Sequence, residues 1–409
     1  MQSLLNLEDV RRAARRRLPR TAFEVIDGGA GNETTVHRNR EAFRDIGLRP
    51  RALADTTTRD ISTTLFGQTI SMPLLLDPCG FARIAHGDGE LAAARAAADA
   101  GTIFALSTAT SYPLEGVARA GDGPKWFQLY APADRSECTA LLQRAQNAGY
   151  EALAVTIDTA VGGLRERDKR NKLEVPLRMT PRLFLEGARR PRWAIDFIRG
   201  NVGRGGMGIV GPRGFQGGRL RPFRSLKDAG RAIAASARPV TSEDIAFIRE
   251  QWSGPLLVKG VQRGDECGLL IDLGVDGIIV SNHGGRQLDT GRATIEILPE
   301  VVRAVAGRAV VLVDGGFRRG VDVAKALALG ANAVLVGRPY LYGLAVGGEA
   351  GVRHVLELMR FEIDQTMALL GCETLAQLDS SYVDLRPGFA GRVDEAQTDL
   401  GIHPGVFVP

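Results

Sequence analysis

Short, continuously apolar segments recur along the chain, and each follows a helical pattern that ends in glycine. Ala98-Asp99-Ala100-Gly101 precedes the apolar run 102–107, and Gln146-Asn147-Ala148-Gly149 precedes the run 152–158. Glycine tolerates the left-handed backbone conformation that ends a helix, so the chain can turn directly into a strand. Because these runs are apolar throughout rather than alternating, we expect parallel strands that are covered by helices.

Eight such strands are predicted between residues 73 and 337. They are Pro73–Leu76, Thr102–Ser107, Lys125–Tyr130, Leu153–Ile157, Pro255–Lys259, Ile278–Val280, Val310–Val313 and Val334–Val336. Helices are predicted at 88–100, 113–119, 134–148, 242–252, 263–273, 294–306 and 318–329, with another after residue 339. This alternation favours right-handed βαβ units, and eight of them favour a closed (β/α)8 TIM barrel. An open doubly wound sheet is the alternative, but no GxGxxG follows the first strand.

Two segments lie outside the repeat. Residues 1–72 form an N-terminal helical segment, with helical patterns near 7–17 and 20–28. Residues 159–241 follow the fourth strand and are far longer than the usual connection of about 2–6 residues. Within this insertion, 191–199 reads as an amphipathic helix, and 201–220 is predicted to be mobile. We interpret the insertion as an active-site lid, with a basic membrane-surface element as the alternative. A single domain is expected over 1–409, with its barrel core at about 73–371.

Composition and charge exclude several classes of protein. The net charge of +5 is modest for 409 residues, and no nucleic-acid-binding motif accompanies the arginine-rich stretches. Nucleic acid is therefore not an expected partner. The four cysteines and five histidines are dispersed, so neither a disulfide framework nor a metal site is expected. No apolar run approaches the ~20 residues that span a bilayer, and no signal-peptide pattern is found. We expect a cytoplasmic protein, soluble or attached to a membrane surface.

The carboxyl ends of the predicted strands carry an unusual set of polar residues and glycines. In chain order they read Asp77-Pro78-Cys79-Gly80, Ser107-Thr108, Gln128-Leu129-Tyr130, Thr156-Ile157-Asp158, Lys259-Gly260, Ser281-Asn282-His283-Gly284-Gly285-Arg286, Asp314-Gly315-Gly316 and Gly337-Arg338. Barrel enzymes build their active sites at this end of the strands. Any one of these groups could be structural, but eight at one rim predict an active site.

The seventh and eighth strand ends are typical of a phosphate site. Gly315 and Gly316 would open a helix near Arg318, and Gly337 precedes Arg338. Backbone N–H groups at a helix N-terminus, supplemented by two guanidinium groups, suit a phosphate, and many barrels hold a cofactor phosphate here. Glycines that serve only tight turns are the alternative.

Lys259 and His283 are the candidates for redox and acid–base chemistry. An unpaired buried ammonium is costly, so Lys259 implies an anion or a Schiff base, and stabilisation of an anionic reduced flavin is favoured over a structural ion pair. His283 can accept a proton near neutral pH, and Asp158 would orient it. Arg286 and Arg165 could bind a carboxylate through paired hydrogen bonds, with Tyr130 nearby.

These stretches resemble the FMN-dependent α-hydroxy acid dehydrogenase/oxidase family, which includes glycolate oxidase, L-lactate dehydrogenase and mandelate dehydrogenase. The resemblance covers most of residues 7–375, and its run Ser281–Asp289 is highly specific. The other matching stretches are Phe127–Tyr130, Thr156–Asp158, Leu257–Gly260, Asp314–Gly320 and Gly337–Pro339.

The resemblance implies FMN as cofactor and a role for each strand end. The flavin ring and ribityl chain would be held by Pro78, Cys79, Gly80, Ser107, Gln128, Thr156, Lys259 and Ser281. The ribityl–phosphate end would be held by Asp314, Gly315, Gly316, Arg318, Gly337 and Arg338. The catalytic set would be His283 as base, Asp158 as its partner, Arg286 and Arg165 as carboxylate anchors, and Tyr130 near the reacting oxygen. A homotetramer is also implied, and the insertion resembles a loop that some members use for membrane attachment.

Two positions depart from the family pattern. Val25 stands where the family usually has a tyrosine that contacts the substrate carboxylate, and Ala109 replaces an aromatic residue found in glycolate-type members. Losing a phenol donor and enlarging the pocket predict poor activity on glycolate and lactate, and a bulkier substrate.

The leading hypothesis is FMN-dependent oxidation of a 2-hydroxy acid, a small-molecule carboxylate bulkier than glycolate or lactate, to the 2-oxo acid. An amino or N-hydroxy analogue from a specialised biosynthetic pathway is the alternative substrate. A catalytically silent, flavin-free binding barrel is the alternative class, although the intact His283, Arg286, Asp158 and Lys259 argue against it. The electron acceptor is open between oxygen, a quinone and a cytochrome.

Overall fold

The computed structural model describes residues 3–171, 181–201, 238–387 and 389, with two short strands Phe215–Gln216 and Arg219–Leu220. Eight parallel strands close into a barrel in which each pairs with the next along the chain and the eighth pairs with the first. The barrel strands are Leu74–Leu76, Phe104–Ser107, Lys125–Leu129, Ala152–Thr156, Leu256–Val261, Gly277–Val280, Val310–Val313 and Ala333–Val336. The predicted (β/α)8 barrel is therefore confirmed.

A helix follows each barrel strand, close to the predicted positions. These helices are Gly89–Asp99, Leu114–Ala118, Arg135–Asn147, Ser242–Gln251, Cys267–Asp272, Thr294–Val305, Gly320–Ala328 and Arg338–Leu370. The seventh begins at Gly320, two residues after its predicted start. The reason is a cap: Asp322 Oδ2 accepts hydrogen bonds of 2.9 Å from the backbone N–H groups of both Arg318 and Arg319.

The strands are apolar on both faces because each face packs into a different core. One cluster fills the barrel interior and includes Leu75, Ile279 and Leu312. A larger cluster contains neighbours such as Leu74 and Leu76 together with residues from the surrounding helices. Successive strand side chains point to opposite faces, so these two clusters separate inward from outward positions.

The N-terminal segment, described over residues 3–72, closes the amino end of the barrel and also reaches the carboxyl end. Its helices are Leu7–Arg17, Arg20–Asp27 and Thr34–Glu41, and Ile46–Leu48 pairs antiparallel with Val383–Leu385. A hairpin formed by Thr63–Leu65 and Gln68–Ile70 contributes Leu65 and Ile70 to the interior cluster. The hairpin thus fills the amino end of the barrel, which leaves the carboxyl end for a site.

The described part of the insertion includes three helices that contact the N-terminal segment, for example through the Arg17–Asp196 ion pair and the hydrogen bond from Thr21 N to Glu186 Oε2 at 3.0 Å. It contains Glu166–Arg170, Pro181–Ala188 and Pro191–Asn201, the last of which includes the predicted helix 191–199. Trp193 is buried and donates from Nε1 to Ile84 O at 2.9 Å. The predicted mobility of 201–220 falls mostly on residues outside those described. No helix in the described ranges is both long and apolar enough to cross a bilayer.

Candidate active site

Eight inward-facing positions form a layer at the carboxyl end of the barrel, here called the rim layer. Each lies two residues beyond an interior residue of its strand, for example Asp77 after Leu75 and Lys259 after Leu257. The rim layer consists of Asp77, Ser107, Gln128, Thr156, Lys259, Ser281, Asp314 and Gly337. Alternation therefore brings one residue from every strand to the same level.

Hydrogen bonds within the rim layer fix its polar groups. Ser107 Oγ donates to Gln128 Oε1 at 2.9 Å, and Gln128 Nε2 donates to Thr156 Oγ1 at 2.8 Å. All three side chains are buried. This side of the rim layer offers neutral donors and acceptors, as a polar heterocycle requires.

Lys259 lies on the strand next to that of Thr156 and is buried, as expected. Its Nζ forms an ion pair with Asp314 Oδ2 and donates to Ser281 Oγ at 2.9 Å, and it lies 3.5 Å from Asp77 Oδ1. Burial lowers the pKa of Lys259, but the charges of Asp314 and Asp77 outweigh burial and hold that pKa above its ordinary value. Lys259 is therefore cationic near neutral pH, which argues against the Schiff-base alternative because that reaction requires a neutral amine. The ammonium is not unpaired, so the ion pair given as the alternative is present in the structure.

His283 occupies the centre of the predicted catalytic set. Its Nδ1 lies 3.1 Å from Asp158 Oδ1, and its Nε2 lies 3.4 Å from the Tyr130 hydroxyl. The backbone at His283 is left-handed, with φ of 58°, and its N–H donates to Ser281 Oγ at 3.1 Å. Strained backbone of this kind is found at functional sites, where surrounding contacts impose it. The three residues are thus held together from three different strand ends.

Electrostatics set the protonation states around His283. Burial raises the pKa of Asp158, but the neighbouring His283 outweighs burial, so the net pKa is lower than usual. Burial and the Asp158 charge raise the pKa of Tyr130 to about 12. At neutral pH, His283 is therefore flanked by a carboxylate at Asp158 and by a neutral phenol at Tyr130.

Arg286 and Arg165 lie close together beside this set. Arg286 Nη1 donates to Val25 O at 2.9 Å and to Gly28 O at 3.0 Å. The C-terminal end of the helix Arg20–Asp27 therefore holds the guanidinium group. Burial, together with the charges of Arg165 and Arg338, lowers the pKa of Arg286 to about 9. Arg165 Nε is buried without a hydrogen-bond partner among the described residues. Two under-neutralised guanidinium groups suit a carboxylate ligand.

The loops after the first and second strands face each other. Pro78, Cys79 and Gly80 are partly buried, and Phe81 N donates to Ala109 O at 3.0 Å. A Cβ at Gly80 would come within 2.9 Å of the Ala109 Cβ, so a side chain at position 80 would not fit without movement. The residue at position 109 therefore sets how much space this loop has.

The predicted phosphate end is basic, although its two arginines differ. Gly316 and Arg318 border a cavity of about 360 Å³ that is also lined by Arg40, Arg319 and Lys325. Burial lowers the pKa of Arg318, and its Nε has no partner within the described chain. The Arg338 guanidinium instead donates to three backbone carbonyls, those of Ile26, Gly28 and Gly284, at 2.8–3.1 Å.

Buried polar atoms without partners indicate that the site is built for a ligand. Within the described residues these atoms include Asp77 Oδ1, Asp314 Oδ1, Arg165 Nε and Arg318 Nε. Gly315 and Gly316 both have left-handed backbones, with φ of 93° and 87°, so the chain bends sharply between Asp314 and Arg318. A polar rim layer beside a basic, glycine-lined turn fits a flavin with a phosphate tail.

The sequence analysis named Asp77 at the first strand end without giving it a role, and it missed two further sets of functional neighbours. Asp77 joins the rim layer, and Asp168 lies near Arg286 and Arg165, whose charges act on its pKa while burial raises that pKa. Arg167 forms ion pairs with Asp27 and Glu33, which tie the Arg165 segment to the N-terminal helices. Asp77 could be assigned to the rim layer only once the inward-facing residues were known, whereas the (i, i+3) spacing from Arg165 on a helix would have suggested Asp168.

Residues of the run Ser281–Asp289 also have scaffolding contacts. Gln287 Nε2 donates to Asp158 O and Val161 O, each at 2.9 Å. Asp289 accepts from Asn32 N and Thr35 N, also at 2.9 Å. The run therefore places His283 and, in addition, holds two surrounding loops against it.

Comparison with known proteins identifies the family. Residues 14–385 match the family described as FMN-dependent dehydrogenase. The chain is 42% identical to an L-lactate oxidase of Nostoc sp. over 94% of this chain and 99% of that protein. It is 40% identical to an (S)-mandelate dehydrogenase of Pseudomonas putida over 93% and 94%, and 39% identical to glycolate oxidase 3 of Arabidopsis thaliana over 93% and 96%.

The structural comparison agrees with the sequence comparison. A crystal structure of a monotopic membrane protein, (S)-mandelate dehydrogenase, superposes with a TM-score of 0.87 at 38% identity, covering 94% of this chain and all of that one. The expected family and the expected cofactor are therefore confirmed, and the flavin-free alternative is not supported. The chain belongs to the FMN-dependent dehydrogenase family.

Proposed function

We propose that this FMN-dependent enzyme oxidises a 2-hydroxy acid bulkier than glycolate or lactate to the corresponding 2-oxo acid. The observation that carries the proposal is the position of His283, between Asp158 and Tyr130 and beside the Arg286 and Arg165 pair. Relatives named as an L-lactate oxidase, an (S)-mandelate dehydrogenase and a glycolate oxidase support the substrate class.

The arginines would position the substrate. Arg286 and Arg165 would bind its carboxylate, and the buried Arg165 Nε offers a donor for this purpose. Fixing the carboxylate would place the α-hydroxyl against His283 Nε2 and the Tyr130 phenol, which lie 3.4 Å apart. Positioning of this kind accounts for a large share of rate enhancement in enzymes.

His283 would then remove the hydroxyl proton. Asp158 keeps Nδ1 protonated through its 3.1 Å contact, so Nε2 is free to act as the base, and the resulting imidazolium is stabilised by the same carboxylate. Tyr130 would donate a hydrogen bond to the reacting oxygen. The cofactor, when bound, supplies a two-electron acceptor for the electrons that leave the α-carbon.

The rim layer and the seventh strand end would hold FMN. Ser107, Gln128, Thr156, Lys259 and Ser281 would contact the ring, with the backbone of Pro78, Cys79 and Gly80 along one edge. Asp314, Gly315, Gly316, Arg318, Gly337 and Arg338 would serve the ribityl–phosphate end. The three carbonyl contacts of Arg338 give it a scaffolding task as well, because they join the eighth strand end to the N-terminal helices.

Val25 and Ala109 are the basis for the proposed substrate size. Val25 lies beside the carboxylate anchor, because its carbonyl accepts a hydrogen bond from Arg286 Nη1. Ala109 lies against Gly80, and its side chain extends no further than the Cβ. We expect kcat/KM for an aromatic 2-hydroxy acid such as mandelate to exceed that for lactate or glycolate by at least tenfold, roughly 1.4 kcal/mol. Anaerobic flavin reduction with a panel of hydroxy, amino and N-hydroxy acids would measure this.

The matched variant for this prediction is Val25→Tyr. A phenol beside Arg286 would add one hydrogen bond to the carboxylate, worth about 1 kcal/mol, so kcat/KM for lactate should rise about fivefold. Val25→Phe, which adds the ring without the hydroxyl, should give no such gain. Efficient turnover of lactate by the unaltered protein, with a low KM, would refute the proposed size preference.

Exposed apolar side chains on the insertion are the basis for a proposed membrane contact. Leu185, Ile195 and Ile198 are about half exposed on two helices of the insertion, and one similar structure is described as a monotopic membrane protein. We propose a cytoplasmic homotetramer, as the family resemblance implies, that attaches to membranes through the 159–241 insertion. Flotation with anionic vesicles should carry the protein upward, and the double variant Ile195→Glu, Ile198→Glu should stay behind. Equal flotation of both proteins would contradict attachment through this surface.

A further inference from the structure

Asp77 is a carboxyl group of the rim layer to which the proposed reaction gives no task. Its backbone is fixed on both sides, because Asp77 N donates to Val336 O at 3.0 Å and the Tyr340 hydroxyl donates to Asp77 O at 3.3 Å. The side chain continues the inward alternation after Leu75 and brings Oδ1 to 3.5 Å from Lys259 Nζ. Asp77 therefore shares the level of Lys259.

Lys259 stands between two carboxyl groups that it binds unequally. Asp314 Oδ2 accepts from Lys259 Nζ and, at 2.8 Å, from Ser281 Oγ. Asp77 has only the longer ion pair, and its buried Oδ1 has no hydrogen-bond partner in the described part of the chain. Asp314 is sufficient to neutralise Lys259, so an ionised Asp77 leaves the three groups with one net negative charge.

We propose that Asp77 tunes the reduction potential of the bound flavin by opposing the positive charge that Lys259 presents to the ring. The inference rests on the proposed position of the flavin ring against the rim layer. Reduction by two electrons with uptake of one proton adds one negative charge to the ring, which a nearby cation favours and a nearby anion disfavours. An ionised Asp77 therefore lowers the potential, and a neutral side chain at position 77 raises it.

The surroundings of Asp77 make this effect depend on pH. Burial raises the pKa of Asp77 to about 6, while the charge of Lys259 opposes the rise and that of Asp314 adds to it. His283, Cys79 and Tyr340 also face Asp77. Burial raises the pKa of Cys79 to about 12 and that of Tyr340 well above its ordinary value, so neither is charged near neutrality. Asp77 is thus neutral in acid and ionised in alkali, and it should lower the potential only in the ionised form.

The test compares the natural holoenzyme with Asp77→Asn, which removes the charge and preserves the size. Midpoint potentials of bound FMN would be measured by anaerobic dye-equilibrated titration at about pH 5 and about pH 8, on either side of the carboxyl titration. At the higher pH, the variant should favour reduction at least tenfold more than the natural protein, about 30 mV for a two-electron couple. At the lower pH, the difference should be much smaller.

Two further measurements keep the test decisive. Sulfite adds to flavin and leaves negative charge on the ring, so Asp77→Asn should bind sulfite about tenfold more tightly at the higher pH. Asp77→Ser, a second neutral variant, should agree with Asp77→Asn, whereas Asp77→Glu should keep a potential close to the natural one. Unchanged or lowered potentials in both neutral variants would overturn the inference.

Lys259→Met separates this inference from the proposed cofactor position. Removing the cation should lower the potential if the flavin ring lies against the rim layer. A lowered potential in Lys259→Met with no change in the Asp77 variants would overturn the role of Asp77 alone. No change in any variant would overturn both the flavin position and the inference.

Discussion

Replacing His283 with glutamine should lower kcat by about 10²–10⁴, the range that a general base supplies. Glutamine retains a polar group of similar reach but cannot accept the hydroxyl proton. Asp158, which lies 3.1 Å from His283 Nδ1, would keep its charge but lose the imidazolium that this charge stabilises. The measurement is the rate of anaerobic flavin reduction in single turnover, which isolates the chemical step from reoxidation.

Cofactor retention is the control for this prediction. His283 contributes its backbone N–H to Ser281 Oγ, a contact that substitution of the side chain leaves in place, so FMN binding should be nearly unchanged. Asp158→Asn should give a smaller loss than His283→Gln, because the base remains but its orientation and charge support are weakened. A rate within tenfold of the natural enzyme in His283→Gln, with FMN bound, would show that another group removes the proton.

The barrel was predictable because its local signals are redundant. Each glycine-terminated helix is followed by an apolar run, and the eight runs all became barrel strands. The helix predicted from residue 318 begins at Gly320, where Asp322 accepts from the N–H groups of Arg318 and Arg319. Helix termini depend on single hydrogen bonds, which hydrophobic patterns do not report.

Sequence also places residues at a strand end without giving their direction. Leu74, Leu75 and Leu76 look alike in the sequence, yet only Leu75 faces the barrel interior. Once the interior residues are known, the rim layer follows by a step of two residues, and Asp77 joins it. Before that, the inward and outward faces of a fully apolar strand cannot be told apart.

Contacts between distant segments were beyond the sequence for a different reason. Arg338 was predicted to serve a phosphate, yet its guanidinium donates to carbonyls of Ile26 and Gly28, about 310 residues earlier. Arg286 likewise donates to Val25 and Gly28. The sequence pattern of an arginine beside glycines does not distinguish an anionic ligand from a helix C-terminus as its partner, because both offer acceptor oxygens. Only the fold shows that the N-terminal helices end at this rim.

Arg286→Met should lower kcat/KM for the hydroxy acid by about 10²–10³, the second largest effect that we expect. Each charge-assisted hydrogen bond to a carboxylate is worth about 1.5–3 kcal/mol, and a guanidinium can form two of them at once. Arg165 remains in the variant, which keeps the loss below that of removing both anchors. Methionine preserves much of the buried volume, so packing against the C-terminal end of the helix Arg20–Asp27 should be largely retained.

A neutral substrate separates carboxylate binding from scaffolding by Arg286. The two hydrogen bonds to Val25 O and Gly28 O are also lost in Arg286→Met, and this loss would affect any substrate. The methyl ester of the same hydroxy acid lacks the negative charge, so the natural enzyme should prefer the acid strongly, and the variant should lose most of that preference. Equal losses of kcat/KM for acid and ester would mean that Arg286 only stabilises the C-terminal end of the helix Arg20–Asp27 and that Arg165 binds the carboxylate. A loss confined to the acid would place the substrate carboxylate on Arg286 itself.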